Sequence, residues 1–205
     1  YALGGGLGHL SRAVALARAA HRAAAEHRLA PIQIVVLTNS PFTNRIQLVN
    51  ELEATDQVVH LNPQDQRGQV ARKVNEVLER WVPDTLVVDT FPRGLAGELA
   101  TVLPRLACQK VFIHRDLSPR YCRQFSLERF VRCYDAILVP GESAPFEGAE
   151  RATRTAPWLL RDDHELLEPQ HARRMLRVKD DGRPVVAVLG TGRADEIAQM
   201  GELAV

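Results

Sequence analysis

The stretch YALGGGLGHLSRAVALARAA, residues 1–20, decides the fold. Tyr1–Leu3 read as the end of a buried strand, Gly4, Gly5, Gly6 and Gly8 as a tight loop, and Leu10 onward as a helix. Glycines in such a loop let a ligand approach the backbone closely, and the helix start aims unpaired N–H groups at the same spot. Strand, Gly-rich turn and helix in that order predict a parallel α/β unit that binds something anionic or polar. Because a turn of this kind normally follows a full strand of about five residues, the chain reads as truncated at its front.

The same alternation continues downstream. An alanine-rich helical pattern over Leu10–Leu29 puts Leu10, Val14, Ala17 and Ala20 on one face, and Pro31 closes it. IQIVVLTNS (32–40) is a β-branched apolar run of the kind buried on both sides of a sheet. Further helix and strand pairs follow: a helix over about Asn44–Ala54 and the strand QVVHLN, then QVARKVNEVLERWV and DTLVVDTF. GLAGELATVLPRL and KVFIHRD come next, and SPRYCRQFSLERFVRCY and AILVPG complete the series. About six strands separated by helices predict a Rossmann-like parallel sheet with helices on both faces, over residues 1–155. Residues 156–184 hold Pro157, Pro169 and Pro184, many charges and one short helix from His171 to Val178, and read as a linker. At 185–205 a strand, the Gly190-Thr191-Gly192 turn and a helix begin a second α/β domain that stops after its first unit.

Composition narrows the function. The 205 residues are 45% hydrophobic and 25% charged, ordinary for a globular protein with a real core. With 26 Lys+Arg against 25 Asp+Glu there is no global charge to attract nucleic acid. Cys108, Cys122 and Cys133 are odd in number and form no CxxC pair, which indicates neither a disulfide framework nor a zinc knuckle and fits a reducing, cytoplasmic setting. No apolar run approaches the roughly 20 residues of a membrane span, and no metal-binding cluster stands out.

A dinucleotide fingerprint fits poorly. From Gly6 and Gly8 the third glycine position is Ser11, and the second strand ends LTNS with no acid to hold a ribose. No GK[ST] follows any glycine loop, which excludes a P-loop. Candidate groups gather instead at the carboxyl ends of strands, where open parallel sheets bind ligands. Asp89 ends the LVV strand, where its carboxylate could accept a sugar hydroxyl or serve a neighbouring base; alternatively Asp89 or Thr90 bonds loop amides before Pro92. Arg93 and Gly94 open the next predicted helix, so a phosphate would meet a guanidinium and helix amides, unless Arg93 is simply solvated. His114, Arg115 and Asp116 close the fifth strand and form either a wall of the site or surface charge. Arg120, Arg123, Arg129 and Arg132 interleave with Tyr121, Phe125 and Phe130, a pattern suited to an anionic membrane or to a helix with aromatics inward and arginines in water.

GGGLGHLSR before an alanine-rich helix, then PDTLVVDTFPRG, FIHRDLSP, a linker and a fresh VVAVLGTG together resemble the N-terminal half of a GT-B glycosyltransferase. The resemblance is to the family 28 branch, which includes an enzyme of the lipid-linked peptidoglycan precursor, and to nucleotide-sugar hydrolases sharing its GxGHxxR form at Gly6–Arg12. It implies an N-terminal domain that holds the acceptor and a C-terminal domain that holds a UDP-sugar co-substrate, with no further cofactor. On that pattern Gly6, Gly8 and Arg12 face the cleft. His9 takes the acceptor proton or orients the donor phosphates, chemistry suited to a group that exchanges protons near neutrality, or else it caps or packs. Thr90, Arg93, His114, Arg115 and Asp116 are substrate-side candidates, and Gly190, Thr191 and Gly192 border the donor phosphates. HRD resembles the family's polar cluster in position but not in letters, leaving open the acceptor, a sugar or a lipid. Most of the donor site would lie beyond Val205, so the chain alone is expected to turn over little; peripheral contact with the inner membrane face is expected through the Arg120–Arg132 helix.

Overall fold

Small apolar residues three and four apart build α1 (Leu7–Glu26), whose Leu10, Val14 and Ala17 are buried as the periodicity predicts. The computed structural model describes residues 1–44, 50–141, 143–179, 181–183, 185, 198 and 199. The chain divides into two units, Tyr1–Trp158 and Leu159–Val205.

The first unit is a parallel α/β structure. After α1 come β1 (Val35–Thr38), β2 (Gln57–His60), α2 (Arg67–Trp81), β3 (Thr85–Asp89) and β4 (Gln109–Ile113). They are followed by α3 (Pro119–Gln124), α4 (Glu128–Val131), β5 (Ala136–Pro140) and β6 (Ala152–Thr155). β1 pairs with β2, and β3, β4, β5 and β6 form a row in that order, all parallel. Tyr1–Leu3 join the two sets: the Ala2 amide donates to Leu37 at 2.8 Å, and the Asp89 amide donates to the Tyr1 carbonyl at 3.0 Å. The strand order therefore reverses at Leu3, and the glycine loop starts at that reversal, where such sheets leave a crevice for ligands. This is the Rossmann-like architecture expected from the alternation.

The core lies between the sheet and its helices. Leu3, Leu37, Val74, Val88, Phe112 and Tyr134 are among its buried residues, and Val36, Leu37 and Thr38 are buried in succession, as a strand covered on both faces requires. The Tyr134 hydroxyl, deep in this core, donates to the Pro92 carbonyl at 2.9 Å and ties the loop after β3 to it.

Several elements differ from expectation. GLAGELATVLPRL forms turns and one 3-10 turn at Leu103–Arg105, because Gly94 and Gly97 sit at φ of 84° and 92°, outside the helical region. The expected helix over 118–134 is two short ones, broken where Ser126 takes φ of 46° and the Leu127 amide donates back to Cys122. Of the helix expected over Asn44–Ala54, residues 45–49 lie outside the described set and Glu51–Ala54 turn. β6 was not anticipated: ATRT is an edge strand with little apolar signal.

The second unit contains α5 (Pro169–Met175), close to the short helix expected there. Before it, Asp162 and Glu165 cap a 3-10 turn reciprocally, which accounts for their close grouping with His164. Among the described residues no helix is long and apolar enough to cross a membrane.

Candidate functional site

β3 delivers Asp89 to the sheet's carboxyl edge, 2% exposed, and α1 lays its first two turns against it. His9 Nδ1 lies 2.7 Å from Asp89 Oδ2. One turn further along the helix, Arg12 reaches the same carboxylate from Nε to Oδ1 at 3.2 Å and from a terminal nitrogen to Oδ2 at 2.8 Å. The spacing of three along α1 is what sets His9 and Arg12 side by side.

These contacts decide the charge of Asp89. Burial by itself would raise the Asp89 pKa, but hydrogen bonds from His9 and Arg12, together with their charge, outweigh it and hold the carboxyl below its ordinary value. An ionised carboxylate only accepts, so His9 Nδ1 must carry the proton it donates. Nε2, on the far side of the ring from the acid, has no hydrogen-bond partner among the described residues. It lies over Gly4, where a Cβ would stand 2.1 Å from it. Any side chain at position 4 would take the space that the imidazole occupies.

The loop beneath the ring is held from β1. Asn39 Oδ1 accepts the Gly4 and Gly5 amides at 2.9 and 3.1 Å, and the Gly6 amide donates to the Gly4 carbonyl at 2.6 Å. Asn39 stands in the LTNS segment, which offers no acid to hold a ribose, and its role is to shape the glycine loop. On the other side Phe91 stacks on His9, ring centroids 5.8 Å apart. Thr90 adopts φ of 65°, costly for a β-branched residue. It is held there by its amide bond to Ile113 at 2.9 Å and by the Phe91 amide donating to Asp89 at 2.8 Å. Its hydroxyl also meets Asp89 Oδ1 at 3.2 Å.

Beside this cluster opens a cavity of about 370 Å³, lined by Gly8, Ser11, Arg12 and Arg115 on its polar side and by Pro140, Pro157 and Trp158 on its apolar side. A flat indole beside guanidinium and hydroxyl groups suits a sugar or another polar ring. Trp158 is held by its indole N–H, which donates to the Thr155 hydroxyl at 2.9 Å.

The structure thus brings together His9, Asp89, Arg12 and Thr90, with Gly6 capping α1 and Gly8 and Arg115 on the cavity wall. It separates the others. Arg93 lies over the Phe125 ring, 4.3 Å from its centroid, and with no helix after it meets no helix amides. Asp116 is exposed. His114 corrects its assignment as a substrate group: it is 0% exposed, stacked between Phe112 and Phe146, and accepts the Phe146 amide on Nε2 at 2.9 Å. Gly190, Thr191 and Gly192 lie outside the described residues. Asn39, Phe91 and Trp158 are the site residues that sequence reasoning missed. A polar residue one step past a buried strand was the available signal for Asn39, and a tryptophan between proline and leucine gave none for Trp158.

Comparison with protein-family models, with curated proteins and with solved structures finds no match for this chain, so its chemistry is argued from the groups gathered at Asp89.

Proposed function

We propose that this chain is the acceptor-side part of a glycosyltransferase that moves a sugar from a UDP-sugar to a hydroxyl acceptor, with His9 as general base. The observation that carries the reading is the 2.7 Å bond from His9 Nδ1 to an ionised, buried Asp89. A carboxylate behind an imidazole fixes the tautomer and stabilises the imidazolium that forms as Nε2 takes a proton. In the reaction an acceptor hydroxyl gives its proton to Nε2 and its oxygen attacks the anomeric carbon. The bond from that carbon to the UDP oxygen breaks, and UDP leaves. Arg12 holds Asp89 rather than substrate, and the cavity walled by Arg115 and Trp158 would seat a sugar ring next to the base. The exposed Arg120, Arg123, Arg129 and Arg132 would meet an anionic surface if the acceptor is lipid-linked.

The test is UDP release from UDP-sugars by the full-length gene product, with and without sugar or lipid acceptors, beside His9→Ala. The expected result is acceptor-dependent release that falls by about 10²- to 10³-fold in the variant. Free sugar released without acceptor would make the same dyad activate water, the hydrolase reading. Equal rates in the variant, or no nucleotide binding, would leave a noncatalytic binding module.

A further inference from the structure

Gly97 marks a second place where charged groups converge. A Cβ built on it would lie 2.0 Å from a terminal nitrogen of Arg93 and 2.9 Å from one of Arg67, which places those two nitrogens within about 5 Å of each other. Arg67 is the exposed first residue of α2, and Arg93 comes from the loop after β3. Among the described residues neither guanidinium has a carboxylate partner. Glu98, adjacent to Gly97 in sequence, bonds the Tyr1 hydroxyl and the Ala96 amide, 2.8 Å away. Asp65, on the α2 side, is taken by Lys73 at 2.6 Å.

The pair is held in place on the Arg93 side. Its guanidinium rests on Phe125 and beside the Tyr121 phenol. The loop that carries it is tied by the Leu95 amide donating to the Tyr1 hydroxyl at 2.9 Å and by the Tyr134 hydroxyl donating to Pro92 at 2.9 Å. Two like charges brought this close repel, and the positive end of α2 adds to the repulsion rather than relieving it. A tetrahedral oxyanion is the ligand that answers this arrangement, since planar guanidinium forks donate in pairs to its oxygens. We propose that Arg67 and Arg93 form a binding site for a phosphate-class oxyanion over Gly97. The site is independent of the reading of His9, and its ligand is either free phosphate or the phosphate group of a larger molecule.

Calorimetric titration of this chain with inorganic phosphate and with methyl phosphate, at fixed ionic strength, tests it. Saturable binding is expected, weakened about tenfold by Arg67→Gln and again by Arg93→Gln. Gly97→Ala should weaken it as well by forcing both guanidiniums aside. Arg80→Gln, at the opposite end of α2, makes the same charge change and should bind as the parent does. Because Arg67 is exposed, its variant keeps the fold, which a melting curve checks should Arg93→Gln disturb the packing on Phe125. Binding of both probes assigns a phosphoester, and binding of inorganic phosphate alone assigns the free ion; either supports the site. No saturable binding of either probe, or equal binding by Arg67→Gln, overturns it.

Discussion

His9 and His114 stand at the same edge of one sheet, yet their surroundings make them different chemical objects. His9 faces an ionised aspartate, keeps part of its surface open and has no partner among the described residues on the nitrogen opposite the acid. His114 is sealed between two phenylalanines and accepts a peptide N–H. Burial lowers its pKa to about 4, against the opposing pull of Asp116 and Glu147, so it stays neutral. What separates the two rings is not the residue or its place in the topology but whether a carboxylate or a backbone amide reaches it first.

Removing the carboxylate puts the heaviest strain on this contrast. On the proposed reaction, Asp89→Asn should lower the rate of sugar transfer by about 10³-fold, since the amide no longer imposes the tautomer. Asp89→Ala should also cost about 3 kcal/mol of stability by stranding Arg12, readable in urea unfolding. If Asp89→Asn costs no more activity than a substitution at His114, the two histidines are not different in the way described.

The acid limb of stability sharpens the comparison next. The unfolded chain protonates His114 near 6.5 and the folded one only near 4, so the unfolded state binds more protons between these values. Stability should therefore fall by roughly 3 kcal/mol as pH drops from 6.5 to 4 and gain no further loss from this group below that. His114→Asn should flatten that window. Asp89 works lower down: its pKa is depressed, so its contribution is present above its ordinary value of 3.8 and lost as pH falls below it. The two groups are thus separable in one pH series of unfolding curves.

The smallest effect is expected from the loop. Asn39→Ala removes the acceptor of two amides and should cost about 1 kcal/mol and, on the proposed reaction, lower the rate of transfer, with the slope assigned to His114 unchanged.

The buried strands were legible because runs such as IVVL and LVV leave no polar face to turn to water. Helix ends were not. α1, α3 and α5 close with Arg28, Ser126 and Arg177 at φ of 52°, 46° and 55°, positions where a glycine would have announced the stop. The opposite error came at Gly94 and Gly97, which punctuate an apolar run that otherwise has helical spacing. Asp89 and His9 could each be singled out, one from a strand end and the other from a glycine loop. Their union through Arg12 depends on a contact across 77 residues of sequence that only the fold supplies.

The imidazole resting where Gly4 has no Cβ carries a consequence for how this chain can vary. A side chain at position 4 must displace the ring of residue 9, whereas Gly5 meets nothing within 4 Å and answers only to its own φ of 63°. In a library of variants, losses of stability at position 4 should be rescued by a smaller residue at position 9, at the expense of the imidazole. Positions 4 and 9 are therefore a coupled pair, and a lineage that abandoned the chemistry would show it first by letting a methyl group into the loop.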